Sequence, residues 1–190
     1  MSKSNSGKRY HGLLQKPIVL VGLMGAGKTS IGRKLAERMQ VSFVDADHEI
    51  EKAAGCTITE FFEKFGEKEF RRGEKRVIER LLKSWPCVLA TGGGAFMDPE
   101  TRAMIKNTAI SIWLNADLDT LDDRLARRSG RPLLQTKNPR ATLQSLMERR
   151  YPIYAEADMT VDTINGSIDV TVDKVCASLT DYFFLKYERK

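Results

Sequence analysis

The sequence has little of what several classes of protein require. Its three cysteines are widely separated and odd in number, which argues against a disulfide framework or a zinc site and suits a reducing compartment. No apolar run approaches the length of a membrane span. The first residues contain no apolar signal core, and they are short for a transit peptide. The two histidines have no special spacing, and no nucleophile–base pair is visible. We therefore expect a cytoplasmic protein with no membrane partner.

The length and charge of the chain indicate one basic globular domain. The 190 residues suffice for a single core, with no internal repeat, and the net charge is +6. Residues 1–16 are rich in Ser, Lys and Gly and predict a flexible basic extension, followed by one domain over 17–190. A basic surface could attract nucleic acid, but the arginines cluster near motifs that suit small anions. We therefore expect a phosphorylated small molecule as the partner, no nucleic acid, and a monomer.

Apolar segments alternate with helical patterns along the chain. Strands are predicted over 18–21, 41–45, 87–91, 109–114 and 159–162. Helices are predicted over 30–39, 59–65, 67–83, 118–127, 140–156 and 170–185, with a further helix start at Asp98-Pro99. This alternation predicts an α/β fold whose parallel sheet is covered by helices on both faces. Ligands of such sheets bind at the carboxyl ends of the strands.

The segment Gly22–Thr29 reads G-x-x-x-x-G-K-T between a predicted strand and a predicted helix. That order is the context that a phosphate-binding loop requires. Glycines let backbone N–H groups turn toward a polyphosphate. Lys28 can reach the β- and γ-phosphates, and the Thr29 hydroxyl can ligate Mg²⁺. A plain glycine-rich turn is the alternative, but the flanking strand and helix favour nucleotide binding.

Two carboxylates, Asp45 and Asp47, come at the end of the second predicted strand. On an extended backbone, residues two apart point to the same side, so both should project beside the glycine loop. One would face the Mg²⁺ shell, and the other would take a proton from a substrate hydroxyl or hold it in line for attack. The alternative is a solvated strand end with an Asp cap for a helix over 49–52.

Two arginines fall on apolar helix stripes. Arg71 shares the apolar face of its helix with Glu74, whereas Arg72 faces outward. Arg150 likewise lies on an apolar face, and Arg149 faces outward. An inward guanidinium requires an anion, so both positions predict a bound carboxylate or phosphate. For Arg71, a structural pair with Glu74 and no ligand is the alternative.

A glycine run and an arginine-rich segment complete the set. Gly92-Gly93-Gly94 follows the third predicted strand, which indicates close approach of a ligand or another backbone, with a simple turn as the alternative. The polar segment over about 124–139 predicts a mobile lid that brings cations over a phosphate. There Arg131 could stabilise charge on the transferring group. A solvated basic loop is the alternative for this segment.

Together these motifs resemble the shikimate kinase family, and the match runs from about Lys16 to the end of the chain. The glycine loop is common to many families, but five further motifs in order make the resemblance specific. The matching motifs are Gly22–Thr29, Asp45-x-Asp47, Phe70-Arg71-x-x-Glu74, Gly92–Gly94, Arg131-Pro132-Leu133-Leu134 and Arg150-x-Pro152-x-Tyr154. The resemblance implies a three-layer P-loop kinase fold, like that of nucleoside monophosphate kinases, with a central five-stranded parallel sheet. It also implies ATP-dependent phosphorylation of the shikimate 3-hydroxyl, a step of aromatic amino acid biosynthesis.

The resemblance further implies roles for the matched residues, with ATP and Mg²⁺ as cofactors. Lys28, Asp47 and Arg131 form the catalytic set, with Asp47 as the base. Thr29 ligates Mg²⁺, and Asp45 supports it through water. The implied shikimate contacts are Asp47, Arg71, Gly93, Gly94 and Arg150. The implied ATP contacts are Gly25, Ala26, Gly27, Lys28, Thr29, Ser30, Arg124, which would stack on adenine, and Arg131.

Two other functions remain open at this point. A kinase for another small polyol acid, such as gluconate, would use the same two arginines for its carboxylate. A nucleotide-binding module that has lost catalysis would keep the glycine loop, although Lys28, Asp47 and Arg131 are all present. Shikimate-dependent release of ADP separates the three functions.

Overall fold

The computed structural model describes residues 16–83, 86–126 and 138–187. At its centre is a sheet of five strands in the order β2-β3-β1-β4-β5, and every pairing is parallel. Each predicted strand is present, with its bounds shifted by one residue at most. The strands are β1 (Ile18–Val21), β2 (Ser42–Asp45), β3 (Cys87–Ala90), β4 (Ile110–Asn115) and β5 (Met159–Asp162).

The three inner strands are almost wholly apolar because both of their faces are covered. Every residue of β1 is fully buried, and the register places Val19 beside Leu89 of β3 and Ser111 of β4. The edge strands β2 and β5 are more exposed: the residues of β2 are exposed or half-buried, and in β5 only Val161 is buried. The carboxyl ends of all five strands therefore meet at one edge of the sheet, where the glycine loop follows β1.

Helices cover the sheet on two faces. They are α1 (Lys28–Met39), α2 (Ala46–Ala54), α3 (Ile58–Leu82), α4 (Pro99–Thr108), α5 (Leu118–Ala126), α6 (Pro139–Tyr154) and α7 (Ile168–Tyr187), with a short 3-10 turn at Ala95–Met97. Helix α1 packs against α7, whereas α4 packs against α3 and α5 against α6. From β1 to β2 the chain moves toward one edge of the sheet, whereas every later crossover moves toward the other edge. Since crossovers between parallel strands are right-handed, α1 lies on one face of the sheet and α4 on the opposite face. The predicted three-layer α/β fold is confirmed.

Two helices contain a residue that disfavours helical structure. The predicted break at Gly66 is confirmed: its φ of 77° and ψ of 172° are non-helical, so α3 consists of two helical segments, 58–65 and 67–82, that meet at a kink. A proline inside a helix usually kinks or ends it, yet α6 continues past Pro152 to Tyr154. The Ala155 N–H bonds to the Tyr151 carbonyl at 2.9 Å, which closes the last turn beyond the proline. The ring therefore removes one donor near a helix end without ending the helix.

Some expectations concern residues outside the described ranges. The N-terminal extension is one of these, apart from Lys16, whose Nζ donates to the Asn107 carbonyl at 2.8 Å. Arg131 and most of the expected lid lie outside as well. Of the segment over 124–139, the structure describes only the end of α5 and the start of α6. Within the described ranges, no helix combines the length and apolar character that crossing a membrane requires.

Candidate active site

The glycine loop connects β1 to α1 at the carboxyl edge of the sheet. Gly25 and Gly27 have φ values of 85° and 94°, which side chains rarely adopt. A Cβ on Gly22 would lie 2.8 Å from the Leu114 carbonyl oxygen, so this glycine also allows close backbone packing. Gly27 is the N-cap of α1 and supplies no side-chain cap. The first-turn amides of α1 therefore point toward the space that a phosphate would fill.

Two polar side chains follow directly in the first turn of α1. The Lys28 ammonium donates to the carbonyls of Gly22 (2.7 Å) and Leu23 (2.9 Å), so it lies across the loop. The Thr29 hydroxyl donates to Asp45 Oδ2 at 2.8 Å. One pocket is lined by residues of the loop, of the β2 end and of the β3 end: Met24, Gly25, Gly27, Lys28, Thr29, Ser30, Asp45, Asp47, Thr91 and Gly93. Met24 and Thr91 were not among the expected site residues, and only their places next to glycine motifs could have indicated them.

The two carboxylates reach this pocket by different backbone routes. Asp45 ends β2 in an extended conformation, but its side chain accepts the Asp47 N–H at 3.1 Å and caps α2. Asp47 therefore lies in the first turn of a helix, and the expectation of two carboxylates along one extended strand is wrong. The cap explains the difference, because a carboxylate that accepts an amide two residues on starts a helix at once. Both side chains still line the same pocket.

The oxygens of the pocket suit a magnesium ion. Thr29 Oγ1 and Asp45 Oδ2 are hard donors 2.8 Å apart beside the loop. Mg²⁺ characteristically takes one or two protein oxygens and fills its shell with water and substrate phosphate. Among the described residues, no group of three or more His, Cys, Asp and Glu side chains could hold a metal. Thr29 and Asp45 thus fit a metal ion whose remaining ligands come from water and from the phosphates of a nucleotide.

Arg71 and Glu74 form a pair on the inner face of α3, as the apolar stripe predicts. Arg71 donates to Glu74 Oε2 at 2.8 Å and to Glu67 Oε1 at 3.2 Å. The Glu74 side chain is 4% exposed, whereas that of Arg72 is 64% exposed. Burial raises the pKa of Glu74, with Asp47 and Asp98 adding to the rise and Arg71 opposing it. The buried Glu74 carboxylate therefore fixes the position of the Arg71 guanidinium.

The glycine run lies where these side chains converge. A Cβ on Gly92 would lie 2.7 Å from Asp47 Oδ1 and 2.9 Å from Glu74 Oε1. A Cβ on Gly94 would lie 2.5 Å from the Arg71 guanidinium. The run thus makes room for charged side chains of this chain, which the sequence-based expectation of a ligand or another backbone did not include. Gly92 was not among the expected substrate contacts.

Arg150 approaches the same run from α6. It donates to the Gly93 carbonyl at 3.0 Å, and it is half-buried, whereas Arg149 is exposed. The predicted inward orientation of Arg150 is therefore confirmed. Gly93 and Gly94 thus contact one arginine each, from helices far apart in the chain. Two cationic groups at one place suit an anionic group of a small ligand.

Arg124 lies on the other side of the glycine loop. Its guanidinium donates to the Gly25 carbonyl (3.2 Å), to Thr163 Oγ1 (3.3 Å) and to the Ile164 carbonyl (2.7 Å). It therefore ties the loop to the segment between β5 and α7. This position borders the loop, as a contact with a bound nucleotide requires. Its expected stacking on adenine stays a prediction.

The similarity of the chain to known proteins agrees with this geometry. A family model described as shikimate kinase matches residues 24–180. A shikimate kinase of Paramagnetospirillum magneticum is 51% identical over 92% of this chain and 90% of its own length. One of Bradyrhizobium diazoefficiens is 56% identical over 84% of this chain and 75% of its own.

Solved structures are similar over the same region. A shikimate kinase from Acinetobacter baumannii, in complex with shikimate, has a TM-score of 0.87 at 38% identity, and the match covers 93% of this chain and 98% of that one. A gluconokinase from Sinorhizobium meliloti has a TM-score of 0.64 at 19% identity, with 92% and 97% covered. The second similarity indicates a shared fold alone.

Proposed function

The chain belongs to the shikimate kinase family, and on that premise we propose how its residues carry out the reaction. It is an ATP-dependent kinase that phosphorylates shikimate, a step of aromatic amino acid biosynthesis. The phosphate goes from the γ-position of ATP to the 3-hydroxyl. The observation that carries the residue assignment is a chain of contacts. Asp47 shares a pocket with Lys28 and Thr29, and it meets Glu74, the partner of Arg71, at Gly92.

The glycine loop binds the phosphates of ATP. Backbone N–H groups of Gly25, Ala26 and Gly27 and the first turn of α1, including Ser30, surround the β- and γ-phosphates. The Lys28 ammonium exchanges loop carbonyls for phosphate oxygens and stays with the transferred group. Because charge on the phosphoryl group is spread over its oxygens in the transition state, a positioned cation lowers the barrier.

The acceptor is held by its carboxylate and its hydroxyls. Arg71 and Arg150 bind the carboxylate, and Glu74 keeps Arg71 directed at it. Amides of Gly93 and Gly94 add backbone donors. The Asp47 carboxylate accepts a hydrogen bond from the 3-hydroxyl and then takes its proton. As the hydroxyl oxygen bonds to the γ-phosphorus, the bond from that phosphorus to the ADP oxygen breaks. Most of the rate enhancement then comes from positioning and charge.

Thr29 and Asp45 hold Mg²⁺, the latter through water. The ion held there would supply positive charge that offsets the negative charge of the ATP phosphates. Arg131 is assigned to the transferring phosphate on its motif alone, since it lies outside the described residues. Arg124 is assigned to the adenine side of the nucleotide because it borders the loop at Gly25.

ADP release with shikimate and with gluconate, measured side by side on the same preparation, tests the function. We expect release that depends on shikimate and little with gluconate. Turnover of gluconate without shikimate would instead identify a gluconate kinase. Binding of nucleotide with no turnover of either acid would identify an inactive nucleotide-binding module.

We also propose a cytoplasmic monomer that does not use nucleic acid. All three cysteines lie in the described part of the chain without disulfides, which supports a reducing compartment. The basic groups of the site pair with nearby carboxylates or backbone carbonyls, as suits a small anion. Sedimentation equilibrium at micromolar concentration would reveal a dimer, and titration with a labelled oligonucleotide would reveal nucleic-acid binding.

A further inference from the structure

One backbone carbonyl in the active site receives two side-chain donors from the same helix. The Gly93 oxygen accepts from Arg150 at 3.0 Å and from the Tyr154 hydroxyl. These two residues are four apart in α6, so they lie on one helix face. Arg150 also has an expected contact with substrate. Tyr154 has no assigned role, although it belongs to the last of the sequence motifs.

The surroundings of Tyr154 fix the direction of its hydroxyl. The residue is 0% exposed, and its ring centroid lies 6.5 Å from that of Phe96 and 6.1 Å from that of Trp113, both nearly parallel. Burial raises the pKa of Tyr154 to about 12, with Arg150 opposing the rise. The phenol therefore remains protonated and able to donate at neutral pH.

A fixed Gly93 carbonyl also fixes the next amide. In a trans peptide the C=O of one residue and the N–H of the following residue point in opposite directions in one plane. Because α6 holds the Gly93 oxygen, the Gly94 N–H points away from α6. Among the described residues, none is found to accept a hydrogen bond from that N–H. The orientation of an amide that is available to a ligand thus depends on the donors in α6.

This peptide also lies between the two parts of the site. A Cβ on Gly93 would lie 3.6 Å from both the Gly22 carbonyl oxygen and the Met24 nitrogen of the glycine loop. Gly94 instead faces the Arg71 guanidinium. A rotation of the Gly93–Gly94 peptide would therefore disturb a substrate-binding amide on one side and loop packing on the other.

We propose that Tyr154 is a positioning residue for the acceptor: by holding the Gly93 carbonyl it keeps the Gly94 N–H directed at bound shikimate. This inference rests on the proposed function, in which Gly94 contacts the substrate. Tyr154 is 0% exposed, so it would act through the Gly93 carbonyl and not by direct contact with a ligand. Its hydroxyl, unlike the Arg150 guanidinium, can be removed without deleting a group that binds the carboxylate.

Tyr154→Phe in the full-length protein tests the proposal. The ring and its packing remain, while the hydroxyl's bond to the Gly93 carbonyl and its contact with Arg150 are lost. We expect the KM for shikimate to rise about fivefold, the change that the loss of one net hydrogen bond produces. The KM for ATP should stay within about twofold, because the loop residues are unchanged. Calorimetric titration of shikimate without nucleotide should show the same loss of affinity.

Tyr151→Phe is the matched control. Tyr151 lies one turn earlier on α6, also contacts Trp113, and donates its hydroxyl to the Ala116 carbonyl, away from the glycine run. A merely structural hydroxyl would give both variants similar melting temperatures and similar shikimate affinity. Equal shikimate KM values in the two variants would overturn the proposal, as would an unchanged value in Tyr154→Phe.

Failure of the proposed function would look different. In that case the wild-type protein would release no ADP with shikimate and would not bind it, which would overturn both ideas. An active wild type beside an unaltered Tyr154→Phe variant would overturn only the role of Tyr154.

Discussion

The proposed site has a donor half (Gly22–Ser30 and Asp45) and an acceptor half (Asp47, Arg71, Gly92–Gly94 and Arg150), which are built differently. In the donor half, the bonds of Lys28 span five and six positions in the chain, and the bond from Thr29 to Asp45 spans 16. In the acceptor half, the bond from Arg150 to Gly93 spans 57 positions. A local loop and helix end form most of the first half, whereas the second combines the local Arg71–Glu74 pair with contacts between distant helices.

This difference determines which kind of group each half uses. Backbone amides of a glycine loop are oriented mainly by the strand and helix that flank them, and here Arg124 adds one link at Gly25. Long guanidinium side chains lose rotamer freedom on binding and need partners that hold them. Glu74 and the Gly93 carbonyl supply that support. Substitutions in the two halves should therefore affect different kinetic constants.

The largest effect is expected where the halves meet. Asp47→Asn should leave ATP affinity nearly unchanged and lower turnover by about 10²-fold or more, because the base is lost. Helix α2 should persist, since its cap is Asp45. Steady-state ADP release and nucleotide calorimetry measure the two quantities. His48→Gln, at an exposed neighbouring position, is the control, and a near-normal rate in Asp47→Asn would exclude Asp47 as the base.

Removal of either inward arginine should affect the acceptor half alone. Arg71→Ala and Arg150→Ala should each raise the KM for shikimate by about 10- to 100-fold, the range for hydrogen bonds to charged groups, with little change in the KM for ATP. The exposed neighbours offer matched controls, Arg72→Ala and Arg149→Ala, which should behave like the wild type. Equal effects on both substrates would contradict the division into halves.

A smaller effect is expected on the donor side. Arg124→Ala removes the link from the glycine loop to Thr163 and Ile164, so the KM for ATP should rise about three- to tenfold, the loss of one or two net hydrogen bonds. The KM for shikimate should not change. Arg140→Ala is a control, because Arg140 pairs with exposed Asp119 and Asp122 of α5 instead. A rise confined to the shikimate KM would assign Arg124 to the other half.

The smallest effect concerns stability and pH. The raised pKa of Glu74 means that the folded state binds this proton more tightly than the unfolded state does. The free energy of unfolding should therefore decrease as pH rises from the ordinary glutamate pKa through the raised one. Glu74→Gln should flatten that decrease in denaturant titrations at several pH values, whereas exposed Glu79→Gln should not. If the free energy of unfolding changed with pH in the same way in the wild type, Glu74→Gln and Glu79→Gln, the raised pKa of Glu74 would be contradicted.

Periodicity and motif order predict most of the fold and the orientation of several side chains. The spacing of Arg71 and Glu74 on one helix stripe is enough to predict that both face inward, and the same holds for Arg150 against Arg149. The route of the Asp45–Asp47 segment was not predictable in this way. Whether such a segment continues as a strand or starts a helix depends on an amide hydrogen bond of the Asp45 carboxylate.

Contacts across the glycine run also escape prediction from the sequence. Nothing in Gly92-Gly93-Gly94 indicates that Asp47 and Glu74 meet at the first glycine, or that Tyr154 bonds to the second. These contacts join segments from three different helices. Their geometry follows from how α2, α3 and α6 pack beside β3.

The sequence alone was enough to predict the α/β class, the strand–loop–helix arrangement around Gly22–Thr29 and the inward orientation of Arg71 and Arg150. These features depend on local spacing, because backbone geometry makes periods of two and 3.6 residues visible in a linear pattern. The tertiary structure alone decided that Asp47 lies in a helix, that the glycine run makes room for charged side chains, and that Tyr154 holds the Gly93 carbonyl. Such contacts depend on the packing of separate elements, which no short stretch of sequence specifies.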